Sequence, residues 1–197
     1  TNRDLFGKMR REGVKVLLTG HYDYIPAMAG ESYLLPDFEM ASRTALTKMA
    51  LAGYRNFIYM YKSLNTGFYL NFLRRGYDDA ARELSLRCLP PADISTEDIT
   101  EIVRKLPRRT AVITPHPSGA EDIMGVVRGL GRASARDIGV ICSFGNPKTV
   151  GVDCMSFDYQ ILVKRALEYI CDSSIPADRP YHEFFRADYV KAESREG

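Results

Sequence analysis

Histidine is the scarcest reactive side chain in this 197-residue sequence, three in all, and no two of them stand close together. His21 follows the first apolar run with Tyr22 and Asp23 beside it, His116 follows the run TAVIT with Ser118 two positions on, and His182 stands in a polar stretch. No nucleophile elbow, phosphate-binding glycine loop, HExxH helix or paired-cysteine zinc motif accompanies them. A metal held by His21, Asp23 and His116 is a weaker reading than loop side chains satisfied by water or backbone. No metal or other cofactor is therefore expected, and the chain is not read as an enzyme. What these positions suit is binding. Where strands run parallel, ligands lie beyond their carboxyl ends. His21, Tyr22, Asp23, Tyr61, His116, Ser118 and Asn146 all end or follow strand-like runs, so they are read as the lining of one cleft. Phe157, close to a helix start, could stack on a sugar or a base, although core packing is its plainer role.

The elements that must position these residues alternate in type. Apolar runs of strand length are interleaved with amphipathic stretches of helix length, the signature of an α/β fold. Val14 to Leu18 reads as a strand; Phe38, Ala41, Ala45, Met49 and Ala52 then mark one helical face, with Asp37 placed to cap it and Gly53 to end it. Asn56 to Tyr61 is the next strand, followed by a helix with the stripe Tyr69, Phe72, Leu73, Gly76, Tyr77, Ala80 and Leu84. Leu86 to Leu89 is short and strand-like, and Ser95, three residues before Asp98, resembles a capping box for a helix ending near Leu106. The cations Arg104, Lys105, Arg108 and Arg109 at that helix end read as dipole-stabilised surface groups. Thr110 to Thr114 and Ile138 to Ser143 are strands around a helix bearing Ala120, Ile123, Met124, Val127 and Leu130, and their unbroken apolarity places them in a parallel sheet. Val150 to Asp153, a helix from Asp158 to Cys171 with Leu162, Ala166, Leu167 and Ile170 inward, and a strand from Phe184 to Lys191 complete the pattern.

Composition narrows the function classes. With 45% hydrophobic and 26% charged residues the chain has the proportions of a water-soluble domain, not of a disordered or coiled-coil protein. Lys and Arg number 27 against 25 acidic residues, and a net charge of +2 is too small for this segment by itself to hold nucleic acid or an anionic membrane. No apolar run approaches the roughly 20 residues of a membrane span, and no charged-then-apolar leader opens the chain, which points to a cytoplasmic protein without a membrane partner. The opening, TNRDLFGKMRREGVKVLLTG, enters mid-helix and without methionine, as a piece of a longer chain would. Cys88, Cys142, Cys154 and Cys171 show no CxxC spacing and read as free thiols in a reducing compartment.

The stretch DFEMASRTALTKMALAGYRNFIYMY, Asp37 to Tyr61, resembles the crossover region of the LacI/GalR family of bacterial transcriptional regulators. Asp37, Arg43, Ala45, Met49, Gly53, Arg55 and Phe57 fall at the family's spacing, with Tyr54 where the family has histidine. RRGYDDAA, Arg74 to Ala81, ARDIGVICSFGN, Ala135 to Asn146, and ADYVKAES, Ala187 to Ser194, are similar to three further family segments. The resemblance implies a bilobed α/β fold of the periplasmic-binding-protein type I class, with parallel sheets flanked by helices. The effector would be held between lobes, and the protein would be a homodimer. On the family register residues 1–49 are a partial N-terminal lobe, 50–156 the C-terminal lobe, 157–183 a return to the N-terminal lobe, and 184–197 the closing strand of the C-terminal lobe. The DNA-binding headpiece and the first units of the N-terminal lobe would lie outside the segment.

The departures from the family pattern fall on ligand positions. The family's clamping arginine corresponds to Leu73, with an arginine only at the neighbouring Arg74. The effector-contacting aspartate is replaced by Gly145 or Asn146, and an asparagine-aspartate pair by HPSG, His116 to Gly119. An aromatic, less hydroxylated ligand suits Leu73, Tyr61 and Phe157; loss of effector response suits them equally. The leading expectation is the effector-binding and dimerisation region of a LacI-like regulator, contacting operator DNA through the missing headpiece. The alternative is an exported solute-binding protein for a sugar transporter.

Overall fold

In the computed structural model residues 2–19, 31–63, 69–133 and 137–192 are described. In chain order the elements are α1 (Asn2–Arg11), β1 (Leu17–Thr19), β2 (Ser32–Pro36), α2 (Phe38–Leu51), β3 (Asn56–Tyr61), α3 (Tyr69–Glu83), β4 (Arg87–Cys88) and β5 (Ala92–Asp93). There follow α4 (Ile99–Lys105), β6 (Thr110–Thr114), α5 (Pro117–Gly129), β7 (Ile138–Cys142), α6 (Pro147–Val150), β8 (Asp153–Ser156), α7 (Tyr159–Cys171), β9 (His182–Phe185) and β10 (Asp188–Val190). They fall into two compact units, each built from separated stretches of chain: residues 1–37 with 158–186, and residues 38–157 with 187–197. The first break thus precedes α2, whereas the family register puts it near residue 49. α2 goes with the larger unit because it packs on α3 and on β6, β7 and β8.

The smaller unit has a three-stranded parallel sheet in the order β1-β2-β9. α7 is held to it through Tyr169, whose hydroxyl lies 2.9 Å from that of Ser32, a buried group that also accepts from the Tyr181 amide at 3.0 Å. The side chain of Asp158 accepts the amides of Gln160 and Ile161 and so starts the helix. Lys15 ends it, donating to the carbonyls of Tyr169, at 3.0 Å, and Asp172, where a cation meets the negative end of the helix dipole. Three expectations change here. The first strand is Leu17–Thr19, not Val14 to Leu18, because Lys15 is spent on the helix end. SYLLP, Ser32–Pro36, is a strand that the sequence reading passed over. On α7 the buried positions are Leu162 and Tyr169, with Leu167 and Ile170 exposed, since the Tyr169 anchor turns the helix away from the stripe that hydrophobicity alone suggests.

The larger unit is a seven-stranded sheet in the order β10-β8-β7-β6-β3-β4, with β5 also paired to β3. Every pairing is parallel except β10 on β8. One face presents Ile58, Met60, Val112, Val140, Cys142 and Cys154 to the buried residues of α4 and α5, Val103, Ala120, Ile123 and Val127. The alternate residues Phe57, Ala111, Ile113, Ile141 and Met155 are also buried, on the opposite face, as strands covered on both sides require. α2 and α3 cross so closely that a Cβ on Gly76 would stand 2.0 Å from the Glu39 carbonyl oxygen. Gly53, at φ +89°, ends α2 in the left-handed conformation that glycine adopts without strain.

Local chemistry explains the remaining differences. Asp98, not Ser95, caps α4, accepting from the amides of Thr100 and Glu101, while the Ser95 amide donates to Asp93 in the preceding turn. Val150 belongs to α6: the Asn146 cap and Pro147 in the first turn favour a helical turn, and Gly151 at φ +67° ends it, so the strand begins at Asp153. The single strand expected from Phe184 to Lys191 is two, β9 in the smaller unit and β10 in the larger.

Candidate functional site

At the carboxyl edge of the larger sheet, rings from five elements meet. Phe38 opens α2 and Tyr69 opens α3; His116 precedes α5, Phe144 follows β7, and Phe157 follows β8. Phe38 is the hub, its ring 5.2 Å from Tyr69, 5.5 Å from Phe144 and 5.4 Å from Phe157, the last two edge to face. Tyr69 meets His116 edge-on at 5.5 Å and Phe144 at 6.1 Å, and Phe144 meets Phe157 at 5.9 Å. Such geometries suit the ring quadrupoles and set the faces rigidly. Phe38 and Phe157 are buried, whereas Tyr69, His116 and Phe144 are half-buried, so the cluster has a covered floor and a partly accessible rim.

The rim has a polar handle. The Tyr69 hydroxyl lies 3.1 Å from the imidazole nitrogens of His116, and burial raises the phenol's pKa, so it stays a neutral hydroxyl near pH 7. His116 holds the N-cap position of α5 without capping it through its side chain. Beneath it the Thr114 hydroxyl is buried with no hydrogen-bond partner among the described residues. The chemistry available is recognition: flat apolar surface, one hydroxyl and one imidazole. Among the described residues no group of three His, Cys, Asp or Glu side chains could hold a metal ion.

The positions expected from the sequence divide. His116 and Phe157 are in the cluster. Ser118, exposed in the first turn of α5, and Asn146, exposed and accepting the Lys148 amide at 3.0 Å, lie on segments that follow strands of the same edge. Tyr61 ends β3 half-buried, its ring 6.1 Å from that of Tyr59. Leu73 is fully buried in α3. Arg74 is engaged elsewhere: it pairs with Asp78 at 2.8 Å and lies over the rings of Tyr59 at 5.3 Å and Tyr77 at 5.8 Å. His21, Tyr22 and Asp23 lie outside the described residues. Phe38, Tyr69 and Phe144 are the members that sequence reasoning missed. Phe38 and Tyr69 each stand at the first position of a helix that follows a strand, a signal overridden by their place on helical core stripes.

Comparison with solved structures gives the fold a second support. A transcription regulator-like protein from Staphylococcus haemolyticus aligns over 96% of this chain and 78% of its own, at TM-score 0.66 and 12% identity. The chain has the fold of LacI-type effector domains. The transcriptional regulator CelR, solved with cellobiose, matches at TM-score 0.65 and 15% identity over 96% of this chain and 69% of its own. The dimeric Lac repressor matches at 0.68 and 12% over 89% of this chain and 66% of its own. No family model and no curated protein matches the chain. The LacI-type fold accounts for the run of parallel strands in the larger unit and for chain segments that alternate between the two units.

Proposed function

We propose that this chain is the effector-binding region of a LacI-like transcriptional regulator, and that its ligand is a small molecule recognised at the carboxyl edge of the larger sheet. The ring cluster of Phe38, Tyr69, His116, Phe144 and Phe157 carries the reading, because it gathers recognition chemistry where parallel sheets bind ligands. Ser118 and Asn146 supply hydrogen-bonding groups beside it. CelR, of the same fold, is a transcriptional regulator solved with a sugar, and sugars as well as planar ring compounds can stack on aromatic faces. The protein acts by population shift, not turnover: a ligand that prefers one conformation by about 1–3 kcal/mol changes operator occupancy several-fold or more. DNA contact comes from a headpiece outside these residues, in a homodimer in the cytoplasm.

A ligand screen by thermal shift tests the site. Disaccharides, pentoses and aromatic metabolites are titrated against the chain and against Phe144→Ala and His116→Ala. A hit that raises Tm for the unsubstituted chain and loses at least tenfold in affinity in both variants supports the reading. A ligand bound equally well by all three places recognition elsewhere, and turnover dependent on His116 would replace the regulator with an enzyme.

A further inference from the structure

Two of the four thiols are brought together in a way that their sequence spacing hides. Cys142 closes β7 and Cys154 is the second residue of β8; in the parallel register they are direct partners. Neighbouring strands run about 4.8 Å apart, inside the Cα separation of about 4.4–6.8 Å that a disulfide spans. Both side chains leave the same face of the sheet and both residues are fully buried. A Cβ built on Gly145 would lie 3.4 Å from one Sγ and 3.5 Å from the other, so the two sulfurs lie together beneath one point of the loop. The thiols face each other, and because burial together with that neighbour raises the pKa of Cys142, the pair meets peroxide only when the loop over it opens and admits solvent. Each proton is placed: Cys142 Sγ donates to the Phe144 carbonyl at 3.0 Å, Cys154 Sγ to that of Val152 at 3.2 Å.

We propose that Cys142 and Cys154 are a redox modification site that closes to a disulfide under peroxide, and that closure releases the Phe144 carbonyl and loosens its loop. One thiol, deprotonated, attacks a peroxide oxygen. The O–O bond breaks, leaving a sulfenic acid and a hydroxide that takes up the proton as water. The second thiol attacks the sulfenic sulfur, the S–S bond forms, and a second water leaves, so two thiols and one hydrogen peroxide become one disulfide and two waters. The β7–β8 ladder is two residue pairs long and ends at this pair, which leaves the strands free to close the remaining gap. The loop from Ser143 to Gly145 is tied by the Ser143 amide to the Thr114 carbonyl, the Gly145 amide to the Met155 carbonyl, the Ser143 hydroxyl to that of Ser42 at 3.5 Å, and the Cys142 thiol to the Phe144 carbonyl. Oxidation removes the last of these and loosens, without detaching, the segment that sets Phe144 in the ring cluster. An effect on effector affinity rests on the function proposed above; the bond itself does not.

The test uses the 197-residue chain with exposed Cys88→Ser and Cys171→Ser, treated with hydrogen peroxide, quenched, and alkylated with iodoacetamide in denaturant. The expected result is loss of both alkylation sites, a Cys142 peptide joined to a Cys154 peptide, and recovery of both sites after dithiothreitol. Hydrogen exchange of the oxidised form should be faster at Phe144 and Gly145 than in the reduced form. Two thiols that persist in the peroxide-treated protein, or sulfinic acid at either position without a link, overturn the proposal. A link with unchanged exchange overturns the release of the loop. Should the double serine variant fail to fold, the same peptide mapping on the unsubstituted chain decides.

Discussion

Tyr69 joins two kinds of surface, its ring seated against Phe38 and its hydroxyl on the imidazole of His116. Tyr69→Phe keeps the ring and removes the bond, so thermal unfolding should report a loss of no more than about 1.5 kcal/mol. Phe144→Ala, by contrast, leaves a gap among three rings and should cost about 2 kcal/mol or more. A second phenol yields a pH prediction. Burial first, then the hydrogen bond to Asp153 and its charge, push Tyr189 up to about 12. A raised pKa in an acid that is neutral when protonated means the fold favours the protonated form, so this stabilisation is whole below about pH 10 and fades as pH rises toward 12. In Tyr189→Phe the drop in Tm across that window should be smaller than in the unsubstituted chain. Individual members of the ring cluster were legible in sequence where a strand end announces them, as with His116. Phe144 was hidden inside IGVICSFGN, since nothing in a single run of residues says that a phenylalanine after a strand will turn toward two helix starts.

Among the elements, α2 and α3 depend on a missing side chain. Gly76→Ala gains up to about 1 kcal/mol of helix propensity, yet its Cβ would collide with the Glu39 backbone, and forcing the helices apart should cost about 1–3 kcal/mol net. Gly125→Ala is the matching control: it sits in α5 with nothing within 4 Å of the new atom, and should raise stability by about 0.5–1 kcal/mol in denaturant unfolding. The end of α4 is served by a distant arginine. Arg132, its side chain 16% exposed, pairs with Asp137 at 2.7 Å and donates to the carbonyls of Val103, Arg104 and Leu106. Arg132→Ala strands a carboxylate and three carbonyls and should cost about 3 kcal/mol. β3 and β6 were readable to the residue because strands covered on both faces are apolar without a break. α6 and the cap of α4 were less so: capping is decided by which oxygen reaches the free amides, and Ser95 and Asp98 offer the same chemistry three residues apart.

For the molecule as a whole, the fold class was legible from alternation alone, whereas the place of the first break between units was not. Where a chain passes from one unit to the other is settled by which helix packs on which sheet, and the stripe from Phe38 to Met49 does not say which sheet α2 will cover. The function proposed above has a consequence at this scale. These 197 residues carry a net charge of only +2, so their affinity for duplex DNA should be weak, indifferent to sequence and lost on adding salt. Gel-shift titration at two salt concentrations checks this, and operator-selective binding by this segment would contradict it.

β10 runs antiparallel on the outer side of β8, after the chain has left the larger unit to build α7 and β9. On the ribosome, therefore, the edge of β8 stays open through all of that detour. An open edge is a template for another strand, and a polysome sets identical nascent chains side by side. Slowed translation between Tyr159 and Phe185 lengthens that exposure, and the yield of native protein becomes a matter of timing as well as of thermodynamics.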